Sequence, residues 1–205
     1  MKQKINCNWH KYVDLGLPSG LLWNTCNIGA KEPWESGLYF SWGNVDGHKK
    51  DSGYDFSETE YATTPGWKLT TDIPVGDEYD AARANLGGSW RMPTGAEFQE
   101  LYDHCTSVWT TQNGVYGRLF TSMINGNSVF LPAAGYCVES MLIGDGDRGT
   151  YWSSSVLSNT YYSYCLNFGC YHLRPQNYDN NFLGFPVRAV LDHPKGSILI
   201  KTIKR

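Results

Sequence analysis

Gly88-Ser89-Trp90-Arg91-Met92-Pro93-Thr94-Gly95-Ala96-Glu97-Phe98 is the stretch on which the fold class turns. Thr94 and Glu97 stand three apart before an apolar run, the spacing of a capping box. There the threonine oxygen and the glutamate carboxylate satisfy first-turn amides reciprocally. The helix it opens carries Phe98, Leu101, Tyr102 and Cys105 on one stripe. Upstream, Asp77 is placed to cap a helix with Tyr79, Ala82, Arg83 and Leu86 at i, i+3, i+4 and i+7, and Gly87-Gly88 stops it. Downstream of residue 106 no helical period returns. Residues 128–131, 150–152, 162–168 and 185–191 read as short strands, and 197–201 as a weak edge strand. Two helices segregated from short antiparallel strands predict an α+β domain.

Working outward, Tyr12-Val13-Asp14-Leu15-Gly16-Leu17 and Leu21-Leu22-Trp23-Asn24-Thr25-Cys26 flank Pro18-Ser19-Gly20 and predict a β-hairpin. Residues 44–76 are polar and without period, and read as a long surface excursion partly ordered by Tyr54, Phe56, Tyr61 and Trp67. No repeat and no boundary divides the chain. The expectation is one domain over residues 1–205, with its core at 12–191 and a strand or tail at 192–205.

Composition excludes several functions. The net charge is −3, and no lysine lies between Lys68 and Lys195, so a phosphate-tracking surface and a nucleic-acid partner are not expected. No apolar run reaches membrane-spanning length, so no membrane span is expected, and Met1-Lys2-Gln3-Lys4-Ile5-Asn6-Cys7 lacks the apolar centre of a signal peptide. The six cysteines show no CxxC spacing, too sparse for a disulfide scaffold and wrong for a zinc ribbon. His10, His48, His104, His172 and His193 have no metal-ligand spacing, and no HExxH, GxSxG or phosphate-binding glycine loop occurs. Asp103-His104 beside Cys105 is a helix end rather than a dyad, because neighbours on a helix point apart. Asp145-Gly146-Asp147 offers oxygens that suit calcium, but two aspartates in a glycine-rich turn more often make just a turn. No metal or cofactor is expected.

Several segments together resemble a known family. They are residues 12–20 with Trp23 and Cys26-Asn27-Ile28-Gly29-Ala30; Tyr39-Phe40-Ser41-Trp42-Gly43; Asp80-Ala81-Ala82-Arg83-Ala84-Asn85 leading into residues 88–98; Phe130-Leu131-Pro132-Ala133-Ala134-Gly135-Tyr136; Tyr151-Trp152-Ser153-Ser154-Ser155; and Gly184-Phe185-Pro186-Val187-Arg188-Ala189-Val190. In this order they resemble the Fibrobacter-type major paralogous domain proteins and the variable proteins of diversity-generating retroelements. The resemblance implies a C-type-lectin-like fold of the formylglycine-generating-enzyme branch, two helices with short antiparallel strands. It also implies a place on a cell surface or phage particle and a ligand-binding, non-enzymatic role.

In the retroelement proteins, template adenines are rewritten, and AAC-type codons yield Tyr, Asn, Asp, His, Ser, Cys and others but never Lys, Glu, Met, Trp or Gln. Residues 153–185 contain no Lys, Glu, Met or Trp, and only Gln176 departs. Tyrosine gives rigid contact area with a hydroxyl, and Asn and Ser give adaptable hydrogen bonds, as in antibody loops. Alternation across residues 165–168 assigns Leu166 and Phe168, with Phe185 and Val187, to the scaffold. The candidate surface for a protein or glycan ligand is Tyr161, Tyr162, Cys165, Cys170, Tyr171, His172, Arg174, Asn177, Tyr178, Asp179, Asn181, Phe182 and Leu183, although Phe182 and Leu183 read equally as core. Arg91 and Arg188 are expected to brace the scaffold.

Two other readings stand beside this one. A surface-associated paralogous-domain protein has a fixed ligand or a structural role. A formylglycine-generating-type thiol oxidase uses a cysteine pair five residues apart, the spacing of Cys165 and Cys170, but that pair lies farther from its closing Gly-Phe than Cys170 does from Gly184-Phe185. Glu32-Pro33 has Trp34 where calcium-dependent sugar binders have Asn, so calcium-mediated sugar binding is not expected.

Overall fold

The computed structural model describes residues 11–157 and 161–192. The expected strand at 197–201, and most of the tail at 192–205, lie outside the described residues, as do His10 and His193. The chain opens with β1 (Tyr12–Asp14), β2 (Leu22–Asn24), β3 (Tyr39–Phe40), α1 (Glu58–Tyr61), a 3-10 turn at Pro65–Lys68, α2 (Ala81–Leu86), β4 (Trp90–Arg91) and α3 (Gly95–His104). Ten strands follow without another helix among the described residues. They are β5 (Cys105–Gln112), β6 (Val115–Ser122), β7 (Ser128–Pro132), β8 (Ala134–Val138), β9 (Met141–Asp145), β10 (Arg148–Val156), β11 (Tyr162–Gly169), β12 (Leu173–Asn180), β13 (Phe185–Pro186) and β14 (Val190–Leu191).

This corrects the expected fold class. The described chain is β-rich, with fourteen strands in four sheets, and its three α-helices have four, six and ten residues. It is not the two-helix α+β, C-type-lectin-like architecture that the resemblance implied. The sheets run β1-β2-β14-β4, β12-β11-β10-β8-β9, β5-β6-β7 and β13-β3. The strands absent from the sequence reading include long ones. β5 and β6 are eight residues each and join through Asn113-Gly114, both at positive φ (49° and 79°), as a tight hairpin between right-twisted strands requires.

The sequence-predicted hairpin is present, with Val13 opposite Trp23. The capping box is present too: Thr94 Oγ1 accepts from Glu97 N at 3.2 Å, and Glu97 Oε2 accepts from Thr94 N at 2.8 Å. On α3, Phe98, Leu101 and the adjoining Cys105 are buried, but Tyr102 is 46% exposed and falls off the stripe. α2 is capped by Asp80 rather than Asp77, one turn later than the spacing suggests. The excursion is more ordered than expected, for Phe56 and Tyr61 are buried and Phe56 pairs with Glu139.

Two apolar cores meet at one wall. Leu15, Trp23, Phe98, Leu101, Phe120, Tyr151, Leu166 and Phe168 fill the first. Trp42, Trp90, Met92, Trp152, Cys165, Phe185 and Val187 fill the second. Tyr151 and Trp152 are neighbours on β10, and Cys165 and Leu166 on β11. Successive strand residues point to opposite faces, so these two strands divide the cores. Buried arginines tie the edges. Arg188 is fully buried and donates to Asn27 Oδ1 (2.9 Å) and to the carbonyls of Asn24 (3.1 Å) and Thr25 (2.8 Å). Arg91 grips both carboxylate oxygens of Glu97 at 2.8 and 2.7 Å and reaches Asp192 at 2.7 Å. Among the described residues no helix is long and apolar enough to cross a membrane.

Candidate functional site

β11 and β12 form a hairpin at one edge of the five-stranded sheet, with Tyr162 opposite Asn180, Tyr164 opposite Tyr178 and Cys165 opposite Asn177. The register slips between Cys165 and Asn167, so Asn167 faces Arg174. Such a bulge twists an edge and unsettles flat pairing with another chain. The residues along β12 alternate between half-buried and exposed, and Arg174, Gln176 and Tyr178 are the exposed set.

The tip of this hairpin is braced from below. Arg118 on β6 donates to the carbonyl of Gly169 through Nε (3.3 Å) and Nη2 (3.0 Å), to that of His172 at 3.2 Å, and to Ser107 Oγ at 2.9 Å. The Gly169 amide donates to the His172 carbonyl at 3.0 Å, and a Cβ on Gly169 would stand 2.7 Å from the His172 ring. Tyr171 is thereby held 98% exposed, flanked by exposed Cys170 and His172. His172 Nε2 lies 2.9 Å from Asn167 Oδ1. Partial desolvation and the guanidiniums of Arg174, Arg118 and Arg148 lower its proton affinity.

At the opposite end the hairpin meets the excursion. A cleft of about 250 Å³ is lined by Glu58, Tyr61 and Trp67 on one side and by Tyr161, Tyr162, Asn180, Asn181 and Phe182 on the other. Tyr61 and Trp67 meet at 76° with centroids 5.7 Å apart, and Trp67 and Tyr161 at 69° and 5.8 Å. Tyr162 sits edge-on to Tyr178 at 6.1 Å. Tyr61 is fixed by its hydroxyl, which donates to the Trp42 carbonyl at 2.9 Å. Burial raises that hydroxyl's pKa, while a hydrogen bond with the Asn181 side chain acts the other way. A Cβ on Gly66 would stand 2.5 Å from the Trp42 carbonyl oxygen, so glycine lets the 3-10 turn close on the core.

The structure divides the thirteen sequence-predicted residues. Tyr161, Cys170, Tyr171, His172, Arg174 and Tyr178 are exposed; Tyr162, Asn177, Asp179 and Phe182 are half-buried. Cys165 and Asn181 are buried at 0% and 2% exposure, which corrects their placement on the surface, and Leu183, at 7%, takes the core alternative. For Cys165 the reason is that β11 has no solvent face at that point: the side opposite Leu166 packs into the second core beside Trp152. Asn181 is held by its backbone, its carbonyl accepting from Trp42 N (2.8 Å) and its amide donating to the Tyr161 carbonyl (3.0 Å). Leu183 joins the second core. Burial also raises the pKa of Asp179, against a hydrogen bond from the Asn180 amide.

Sequence reasoning missed Glu58, Tyr61, Trp67 and Asn180 as wall residues. Two signals were present. Ser57 and Glu60 have capping spacing, and Ser57 Oγ accepts from Glu60 N at 3.3 Å. Thr64-Pro65 puts proline at the first position of the 3-10 turn.

The sulfurs of Cys165 and Cys170 do not share a site. Five residues of extended chain set their Cα atoms roughly 15 Å apart, where a disulfide needs about 4.4–6.8 Å. Burial raises the pKa of the Cys165 thiol, the reverse of what a reactive thiolate needs. Asp145, in the Asp-Gly-Asp turn, pairs with Lys50 at 3.0 Å. Among the described residues no three His, Cys, Asp or Glu side chains gather to hold a metal ion. Comparison with known proteins returned no match to a family model, a curated protein or a solved structure.

Proposed function

We propose that this chain is a ligand-recognition module that displays the β11–β12 hairpin to a protein or glycan ligand, with residues 161–182 varied by a retroelement of the kind its sequence resembles. One observation carries the proposal: Tyr161, Tyr171 and Tyr178 are 52%, 98% and 55% exposed on a single hairpin whose scaffold residues are fully buried. Tyr171 stands at the hairpin's tip and Tyr161 and Tyr178 toward its other end, so both ends of the hairpin offer aromatic contact area. The rigidity of these rings keeps the entropic cost of contact small, and a few central tyrosines dominate the binding energy. No chemistry is needed, because the hairpin recognises by shape and aromatic contact.

Replacing Tyr171 and Tyr178 with alanine tests this. Each substitution is expected to weaken capture of a ligand found by glycan and protein screening by about tenfold or more, at the scale of an interface hot spot. Both side chains are exposed, so the melting temperature should hold. Unchanged affinity in the double variant would remove the hairpin as the contact surface. The diversification half is tested separately by sequencing the locus. A near-copy of codons 155–190, differing only at adenines and beside a reverse transcriptase, supports it, and a locus without one leaves a module with a fixed ligand.

A further inference from the structure

The cleft between the excursion and the hairpin has a chemistry of its own. Its volume of about 250 Å³ is below the roughly 300–1,000 Å³ of a pocket for a drug-sized ligand. It suits one compact group rather than a chain. The rings of Tyr61, Trp67 and Tyr161 meet near right angles and make a corner, not a platform. A pyranose stacks best on an open flat face, which this corner lacks. A compact cation gains from several ring faces at once, because each aromatic quadrupole presents negative charge above its plane. Among the described residues, the lining holds one ionisable group besides the phenols, the exposed carboxylate of Glu58, and no basic side chain. Anions are disfavoured there and cations favoured. Tyr61 already directs its hydroxyl to the Trp42 carbonyl, so it contributes ring rather than hydrogen bond to an occupant.

We propose that this cleft binds a quaternary or methylated ammonium group, with Trp67 and Tyr161 as the aromatic walls, the buried Tyr61 ring as the floor behind them and Glu58 as the counter-charge. The proposal rests on reading the hairpin as a recognition surface, and it names the chemistry that one end of that surface selects. Either a choline-type headgroup or a trimethylated lysine side chain supplies this group.

The test follows the Trp67 indole N–H by two-dimensional NMR during titration of the purified protein at constant ionic strength. The probes are tetramethylammonium chloride, choline, a trimethyl-lysine peptide and 3,3-dimethylbutan-1-ol, the neutral isostere of choline. Saturable shifts at Trp67 are expected with the cations, and affinity for the neutral alcohol about tenfold or more weaker, in keeping with a cation–π contribution. Glu58→Gln is expected to lower cation affinity about threefold or more without altering the fold, since the side chain is exposed. Trp67→Ala should abolish binding but also removes packing on Tyr61, so the alcohol and Glu58→Gln carry the decision. Tighter binding of choline or of the peptide identifies the source of the group. Equal affinity for choline and the alcohol, or no saturable shift at Trp67, overturns the proposal. No macromolecular ligand is present in this titration, so its failure leaves hairpin recognition standing, and failure of the tyrosine variants leaves the cation result standing.

Discussion

His48 shows how a single residue ties the excursion to the core. Its ring stacks on Tyr54 at 3.6 Å and 8°, and meets Phe56 edge-on at 5.9 Å. Its backbone exchanges two hydrogen bonds of 2.9 Å with Tyr39, a fully buried residue. Desolvation pulls the imidazole pKa below its ordinary 6.5, with Asp46 and Glu60 opposing the shift. A base whose folded pKa is depressed keeps its full stability contribution above the unfolded value. It loses that contribution as pH falls from there through the folded value, because the unfolded chain binds the proton more readily. Acidification from about pH 7.5 to about 5 should therefore lower the amide protection factors of Tyr39, His48 and Phe56, in which the base-catalysed intrinsic rate at each pH is divided out. His48→Asn is expected to flatten this dependence, and equal acid sensitivity in that variant would assign the effect elsewhere.

Among the elements, the hairpin tip depends on a residue outside it. Arg118 holds the carbonyls of Gly169 and His172 from beside the first core, and burial lowers its pKa against the influence of Cys170. Arg118→Met keeps the stem's volume and removes the donors. The expected cost is about 1–3 kcal/mol, the penalty for leaving the buried Gly169 carbonyl without these donors. Amide exchange at Gly169 should accelerate, and ligand affinity should fall although Arg118 touches no ligand. Unchanged exchange and affinity would make the arginine a passive filler. This dependence was not legible in the sequence, where Arg118 is one arginine in a run with no capping or turn signal. Local signals were legible where one segment contained both partners, as with Thr94 and Glu97. They were degenerate where two candidates had suitable spacing. Asp77 accepts from Tyr79 N at 3.0 Å in a turn of its own, while Asp80 caps α2 because its carboxylate also reaches Met92 N at 3.1 Å, a contact twelve residues away. Asn113-Gly114 is itself a legible hairpin signal, and it joins two eight-residue strands.

For the whole molecule, the strand pairs that close the fold are the shortest and most distant. Phe40 pairs with Phe185 and Trp23 with Val190, joining segments over a hundred residues apart through strands of two or three residues. No periodicity can announce a two-residue strand, but the class itself turned on β5, β6, β8, β9 and β12, strands of five to eight residues that lie outside the predicted ones. The same closure makes the two cores interdependent. Tyr151 and Leu166 face one core, Trp152 and Cys165 the other, and the Trp152 indole donates to the Phe40 carbonyl at 2.8 Å while stacking on Phe185 at 4.1 Å. A cavity on one side should therefore be felt on the other, because displacing β10 or β11 moves both faces of the wall. Leu101→Ala, fully buried in the first core, is expected to cost about 2–5 kcal/mol. Denaturant unfolding followed at Phe120 in the first core and at Val187 in the second should then show both midpoints falling together, as one cooperative unit requires. A shifted midpoint at Phe120 with an unmoved one at Val187 would mean that the wall insulates the cores. In that event the hairpin, which carries β11, would be anchored by the second core alone.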